Sequence, residues 1–160
     1  MNTIKNFLPK DLHVNLLEYA KVCSYRKTED NIYNFRGCTI TGALYKEVES
    51  LFREYKLVGE IDILRIQRID KSIRMTENYH RHHTKYKENV VCFLNQNFIG
   101  GEFEYIDQKL LKVLPEENTA LVFGPTLRHR VLPVTEGERY TLVAFLAENS
   151  YLYKKQRTVI

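Results

Sequence analysis

Tryptophan is missing from this chain, and conformational punctuation is sparse: 160 residues include 7 glycines, 4 prolines, 3 cysteines and 2 methionines. With no internal repeat, low-complexity tract or Ser/Gly-rich stretch, nothing marks a linker, and the length is that of one domain. Cys23, Cys38 and Cys92 form neither an even set nor a CxxC pair, so reduced thiols and a cytoplasmic location are expected. No apolar run approaches ~18 residues, which excludes a membrane-spanning helix. Met1 to Leu8 does not read as a secretory signal, because no charged segment precedes an apolar one. What is present is ordinary core material. Hydrophobic residues make up 44%, with 11 Tyr and 8 Phe, too much for a disordered chain. The net charge of +4 permits an anionic partner without indicating nucleic acid.

The first part of the chain has helical spacing. Pro9 can open a helix at its first turn, and Leu12, Leu16, Ala20 and Cys23 share a face. Leu44, Val48, Leu51, Phe52 and Tyr55 predict a second helix over Gly42 to Tyr55. Beyond Val58 the pattern becomes short and strand-like. Glu60–Arg68 is β-branched, and Asn89–Asn95 is a nearly continuous apolar run ended by a turn former. Looser alternation runs through 102–106, 110–114, 119–123, 130–134 and 139–146. Short, evenly spaced strands predict a mainly β, α+β fold: a helical support at about 1–57, an eight-stranded jelly-roll core at about 58–147, and a solvated tail at 148–160.

Three of five histidines crowd into Tyr79-His80-Arg81-His82-His83-Thr84, and a fourth, His129, lies in Leu127-Arg128-His129-Arg130-Val131. His13 stands alone in the first helix and reads as a surface or satisfied residue. On a strand, His80, His82 and Thr84 would share one face, with Arg81 and His83 on the other. Two such histidines and a third from a distant strand could bind Fe, Zn, Cu or Ni. Spacing alone favours a basic, solvated hairpin. Arg81, Lys85 and Lys87 continue its positive charge and would favour an acidic substrate or a phosphate backbone if they flank a site.

The order of motifs in the second half separates these readings. Phe93-Leu94-Asn95 leads into Gly100-Gly101-Glu102, then Pro115, then Asn118-Thr119-Ala120-Leu121-Val122-Phe123, then His129, then Pro133-Val134-Thr135-Glu136-Gly137-Glu138-Arg139. From about Arg65 to Leu146 this resembles the 2-oxoglutarate- and iron(II)-dependent dioxygenases of the prolyl-hydroxylase-like superfamily. Asn118 stands where a glycine is usual. The resemblance implies a double-stranded β-helix with iron(II) and 2-oxoglutarate in its mouth. His129 would be the distal metal ligand. Arg139, ten residues on, would hold the remote carboxylate of 2-oxoglutarate, with help from the Thr141 hydroxyl. A guanidinium fork suits that role, since it matches a carboxylate and stays charged when desolvated. Gly100-Gly101 reads as a tight turn and Asn95 as a strand end near the mouth.

One departure bears on the chemistry. The family's first metal motif is His-x-Asp or His-x-Glu, and here no acid lies two residues after any clustered histidine. Either His82 is the first ligand and Thr84 replaces the carboxylate, or His80 comes first and His82 replaces it. The second register gives the metal a full facial set and is preferred. The implied activity is oxygenation, with O2, of an unactivated C–H in an organic, peptide or protein substrate. The alternative is a non-catalytic or halogenase-like relative. No side chain is assigned as an acid or base.

Overall fold

The computed structural model describes residues 1–27, 36–75 and 78–148. Twelve strands and two helices follow in the order β1 (Asn2–Lys5), α1 (Lys10–Val22), β2 (Arg26–Lys27), β3 (Arg36–Thr39), α2 (Gly42–Glu54), β4 (Glu60–Asp70), β5 (Tyr86–Phe93), β6 (Ile99–Gly100), β7 (Phe103–Asp107), β8 (Lys109–Val113), β9 (Thr119–Phe123), β10 (Arg128–Val131), β11 (Val134–Glu136) and β12 (Glu138–Ala147). Seven form one sheet, β1-β9-β5-β12-β4-β3-β2. The β10-β7-β8 sheet and the β11-β6 ribbon complete the jelly roll.

Strand alternation divides the large sheet into two chemically different faces. Leu64 and Ile66 of β4, Val90 and Cys92 of β5, and Leu142 and Ala144 of β12 pack on one side. Leu12, Leu16 and Ala20 of α1 and Val48, Leu51 and Phe52 of α2 cover that face. The opposite face carries Arg65, Gln67, Asn89, Val91, Arg139, Thr141 and Val143, and the small β10-β7-β8 sheet lies over part of it. Phe93, Phe103, Leu121 and Phe123 form the packed floor between the sheets. The mixed polarity of this inner face is what a site requires and a plain core does not.

Both helices lie where periodicity places them, although Pro9 sits at the N-cap position of α1 instead of in its first turn. The three sheets together hold twelve strands, four more than the eight expected, among them the short β1, β2, β3 and β6. The segment from His80 to Thr84 is not a strand. It is irregular apart from a single bridge at His80. The expected tail beyond Glu148, with Lys154, Lys155 and Arg157, lies outside the described residues.

Two departures from regular backbone hold the support and the mouth. Asn118 has φ +55°, a left-handed conformation that Asn tolerates better than most residues, which explains its place where glycine is usual. Its amide accepts from Leu8 N at 2.8 Å and donates to Leu8 O at 2.9 Å, fastening the N-terminal support to the core. Gly100 has φ +85°, and a Cβ there would lie 2.1 Å from the Pro133 carbonyl oxygen. Gly100→Ala combines left-handed strain with a backbone clash and should cost about 2 kcal/mol or more in denaturant unfolding.

Candidate functional site

His80 and His129 are joined through their backbones. His80 N donates to His129 O at 2.9 Å, and His129 N donates to His80 O at 3.0 Å. This pair of bonds places the two side chains next to each other, with ring centroids 4.1 Å apart. His82 N donates to Pro125 O at 3.0 Å, turning the third ring in. Its centroid is 4.8 Å from that of His129 and 5.4 Å from that of His80. One nitrogen from each ring lies within 4.8 Å of the others, a spacing that could hold a metal ion.

The outer nitrogens of two rings show which inner atoms face the centre. Asn89 is fully buried on β5, and its Nδ2 donates to Phe123 O at 3.2 Å. That bond fixes the amide orientation, so Oδ1 accepts from His82 Nδ1 at 2.7 Å. His129 Nδ1 likewise donates to Leu127 O at 2.8 Å. Both rings thereby hold Nδ1–H outward and turn Nε2 inward, the arrangement that outer acceptors impose on metal-binding histidines. Phe103 stacks on the His129 ring at 5.1 Å and 16°. Burial, and then the neighbouring His80 and His82, push the His129 pKa down to about 3, so this ring stays neutral. Nitrogen lone pairs converging on one point repel one another unless a cation or a proton lies between them. The donor set therefore fits a first-row metal.

The histidines open into a cavity of about 460 Å³ between the sheets. Arg139 lies in its wall with 1% of its surface exposed. Its Nε donates to Gly101 O at 3.0 Å and its Nη1 to Thr141 Oγ1 at 3.4 Å, and Phe93 lies beneath it at 5.1 Å. Nη2 is buried without a partner, and among the described residues no carboxylate pairs with the guanidinium. Desolvation pushes its pKa down to about 9. A buried cation with an unused donor is costly alone and suits an incoming anion. The 2-oxoglutarate carboxylate has the matching charge and geometry. Gly101 also leaves room for Arg139: a Cβ there would meet Arg139 Cδ at 2.7 Å.

The other expected residues separate clearly. Thr84 is exposed and does not line the cavity. Arg81 and His83, expected on the opposite face, line the same cavity as His80 and His82, because the segment is irregular and does not alternate. Lys87 does not line it and pairs with Glu148 at 2.9 Å. Asn95 clamps the start of β12 by accepting from Tyr140 N at 3.0 Å and donating to Glu138 O at 2.8 Å, outside the histidine cavity. His13 is satisfied by Leu94 O at 2.8 Å. Sequence reasoning missed Asn89 and Gln67. A polar residue at the start of the apolar run Val90–Leu94 was the available signal for Asn89.

Residues 68–147 match the family model described as the 2OG-Fe(II) oxygenase superfamily. The chain belongs to this superfamily of dioxygenase enzymes, whose cofactor is iron(II) and whose co-substrate is 2-oxoglutarate. No curated protein matches the sequence. Among solved structures, the chain is similar to a Pseudomonas putida prolyl-4-hydroxylase, with TM-score 0.68, 17% identity and coverage of 93% of this chain and 92% of that one. It is similar to a Trichoplax adhaerens prolyl hydroxylase in complex with a hypoxia inducible factor oxygen degradation domain peptide fragment (TM-score 0.71, 16% identity, 99% and 86% covered). It is also similar to HygX from Streptomyces hygroscopicus with nickel and 2-oxoglutarate bound (TM-score 0.71, 10% identity, 93% and 83% covered). At these identities the likeness concerns the fold. Among the described residues, no helix is long and apolar enough to cross a membrane.

If Asn89 holds the His82 tautomer, Asn89→Leu should weaken iron(II) binding about 10- to 100-fold in anaerobic titration. Asn89→Asp keeps the acceptor and should retain metal.

Proposed function

We propose that the chain hydroxylates a C–H bond of an organic or peptide substrate, with His80, His82 and His129 holding iron(II) and with Arg139 and Thr141 receiving the distal carboxylate of 2-oxoglutarate. The observation that carries this reading is the buried Arg139 guanidinium, whose Nη2 has no partner, in the same cavity as three convergent imidazoles. When bound, iron(II) with 2-oxoglutarate supplies dioxygen activation, with the keto acid decarboxylated to succinate as the substrate is oxidised.

The protein's own part is positional. Gly101 O and Thr141 Oγ1 aim the guanidinium, and Thr141, which accepts from Arg139, keeps its hydroxyl proton to donate to a carboxylate oxygen. Phe93, Phe103 and Phe123 exclude water from the floor. His80 supports a three-histidine set, since it adjoins His129 while Thr84 points to solvent. A third imidazole fills the position that a halogenase-like relative would leave open.

Arg139→Met provides the test. Removing an unpaired buried charge should leave the metal-free protein as stable as wild type or more so. The same change should weaken 2-oxoglutarate binding by at least ~100-fold, since losing one partner of a desolvated pair costs about 3–5 kcal/mol. Calorimetry and thermal unfolding with and without 2-oxoglutarate measure both. Unchanged affinity would remove Arg139 from the site.

A further inference from the structure

Arg65 is a second guanidinium in the same cavity, and it is held in place. It lies two residues before Gln67 on β4, so both project from the inner face. It pairs across β12 with Val143, while Gln67 pairs with Thr141. Arg65 is therefore displaced from Arg139 along the strands, with the Thr141–Gln67 row between them. In the amide orientation that satisfies both groups, Gln67 Oε1 accepts from Arg65 Nη2 at 2.9 Å and from Nε at 3.3 Å. The guanidinium lies over the Phe145 ring at 5.8 Å. Gln67 is buried, so its amide is a fixed anchor and not a mobile surface contact.

The described lining of the cavity is biased towards positive charge. Among the described residues lining the cavity, none is Asp or Glu. Arg81 and His83 line it beside Arg65, and Lys85 is offset by Asp62 at 3.2 Å. Ile63, Tyr86, Val143 and Phe145 add an apolar wall. The three-histidine set adds to this bias. Iron(II), three neutral imidazoles, the 2-oxoglutarate dianion and Arg139 together retain one positive charge, which a metal-bound carboxylate would have cancelled.

We propose that Arg65 is a specificity-determining residue that binds a carboxylate or phosphate group on the substrate, whose apolar body lies along Ile63, Val143 and Phe145. The proposal rests on the oxygenase reading, because Arg139 must be occupied by 2-oxoglutarate for Arg65 to take the substrate's anion. An Arg fork is suited to either oxyanion, since both match its paired donors.

The probes are 4-phenylbutyrate, its uncharged amide 4-phenylbutyramide and 3-phenylpropyl phosphate. Each is titrated by calorimetry into the full chain saturated with 2-oxoglutarate and iron(II) under anaerobic conditions. One charge-assisted interaction predicts that the acid binds roughly 10- to 100-fold tighter than the amide. Arg65→Gln should abolish that preference and Arg65→Lys should keep most of it, while 2-oxoglutarate affinity stays unchanged in both. Tighter binding of the phosphate than of the carboxylate would support the site and identify its anion. Equal affinity for acid and amide in the wild type, no binding of the acid at millimolar concentration, or an undiminished preference in Arg65→Gln would each overturn the proposal. Failure of 2-oxoglutarate to bind the wild type would instead overturn the oxygenase reading, and a preference for the acid that still depends on Arg65 would then leave the anion site standing.

Discussion

A buried guanidinium that no carboxylate among the described residues pairs with is the constraint on which the inner half of this structure depends. Burying a charge without a partner is unfavourable, and the fold must supply the difference through its core. The helical support does so on the other face of the large sheet, where alternation buries Leu64, Ile66, Leu142 and Ala144 against α1 and α2. That division lets the inner face carry Arg139, Gln67, Asn89 and Thr141, which a simple sandwich core would exclude. The cation is in turn positioned by the tight turn at Gly100-Gly101, whose lack of side chains lets the β12 arginine approach the Gly101 carbonyl.

The metal group follows a related rule. Its three imidazoles come from an irregular segment and one strand, and no regular hairpin aligns them. A pair of backbone hydrogen bonds between His80 and His129 replaces the missing strand pairing. Asn89 and the Leu127 carbonyl then fix two ring tautomers from outside. Positional accuracy comes from these supports and not from the histidines themselves, which is the usual division of labour in metal sites.

Much of this was legible in the sequence, and the limits have physical causes. Both helices were readable because their buried positions recur at helical spacing. The strands from Glu60 onward were readable because turn formers bound them. β1 and β3 were not, since Asn2–Lys5 and Arg36–Thr39 are short and largely polar and become strands by pairing with β9 and β4. His129 and Arg139 stood out through the order of motifs around them. The strand expected at His80–Thr84 was not found, because alternation assumes a ladder that this segment lacks. Asn89 and Gln67 were hidden because their roles depend on partners brought close only by the tertiary fold.

Anaerobic addition of iron(II) and then 2-oxoglutarate, followed by visible absorption, addresses the central claim most directly. A weak charge-transfer band should develop at one equivalent of iron in the wild type and in Thr84→Ala. It should be lost in His80→Ala, His82→Ala and His129→Ala. A full band in His80→Ala would contradict the three-histidine centre, and a full band in His82→Ala would contradict the metal site altogether.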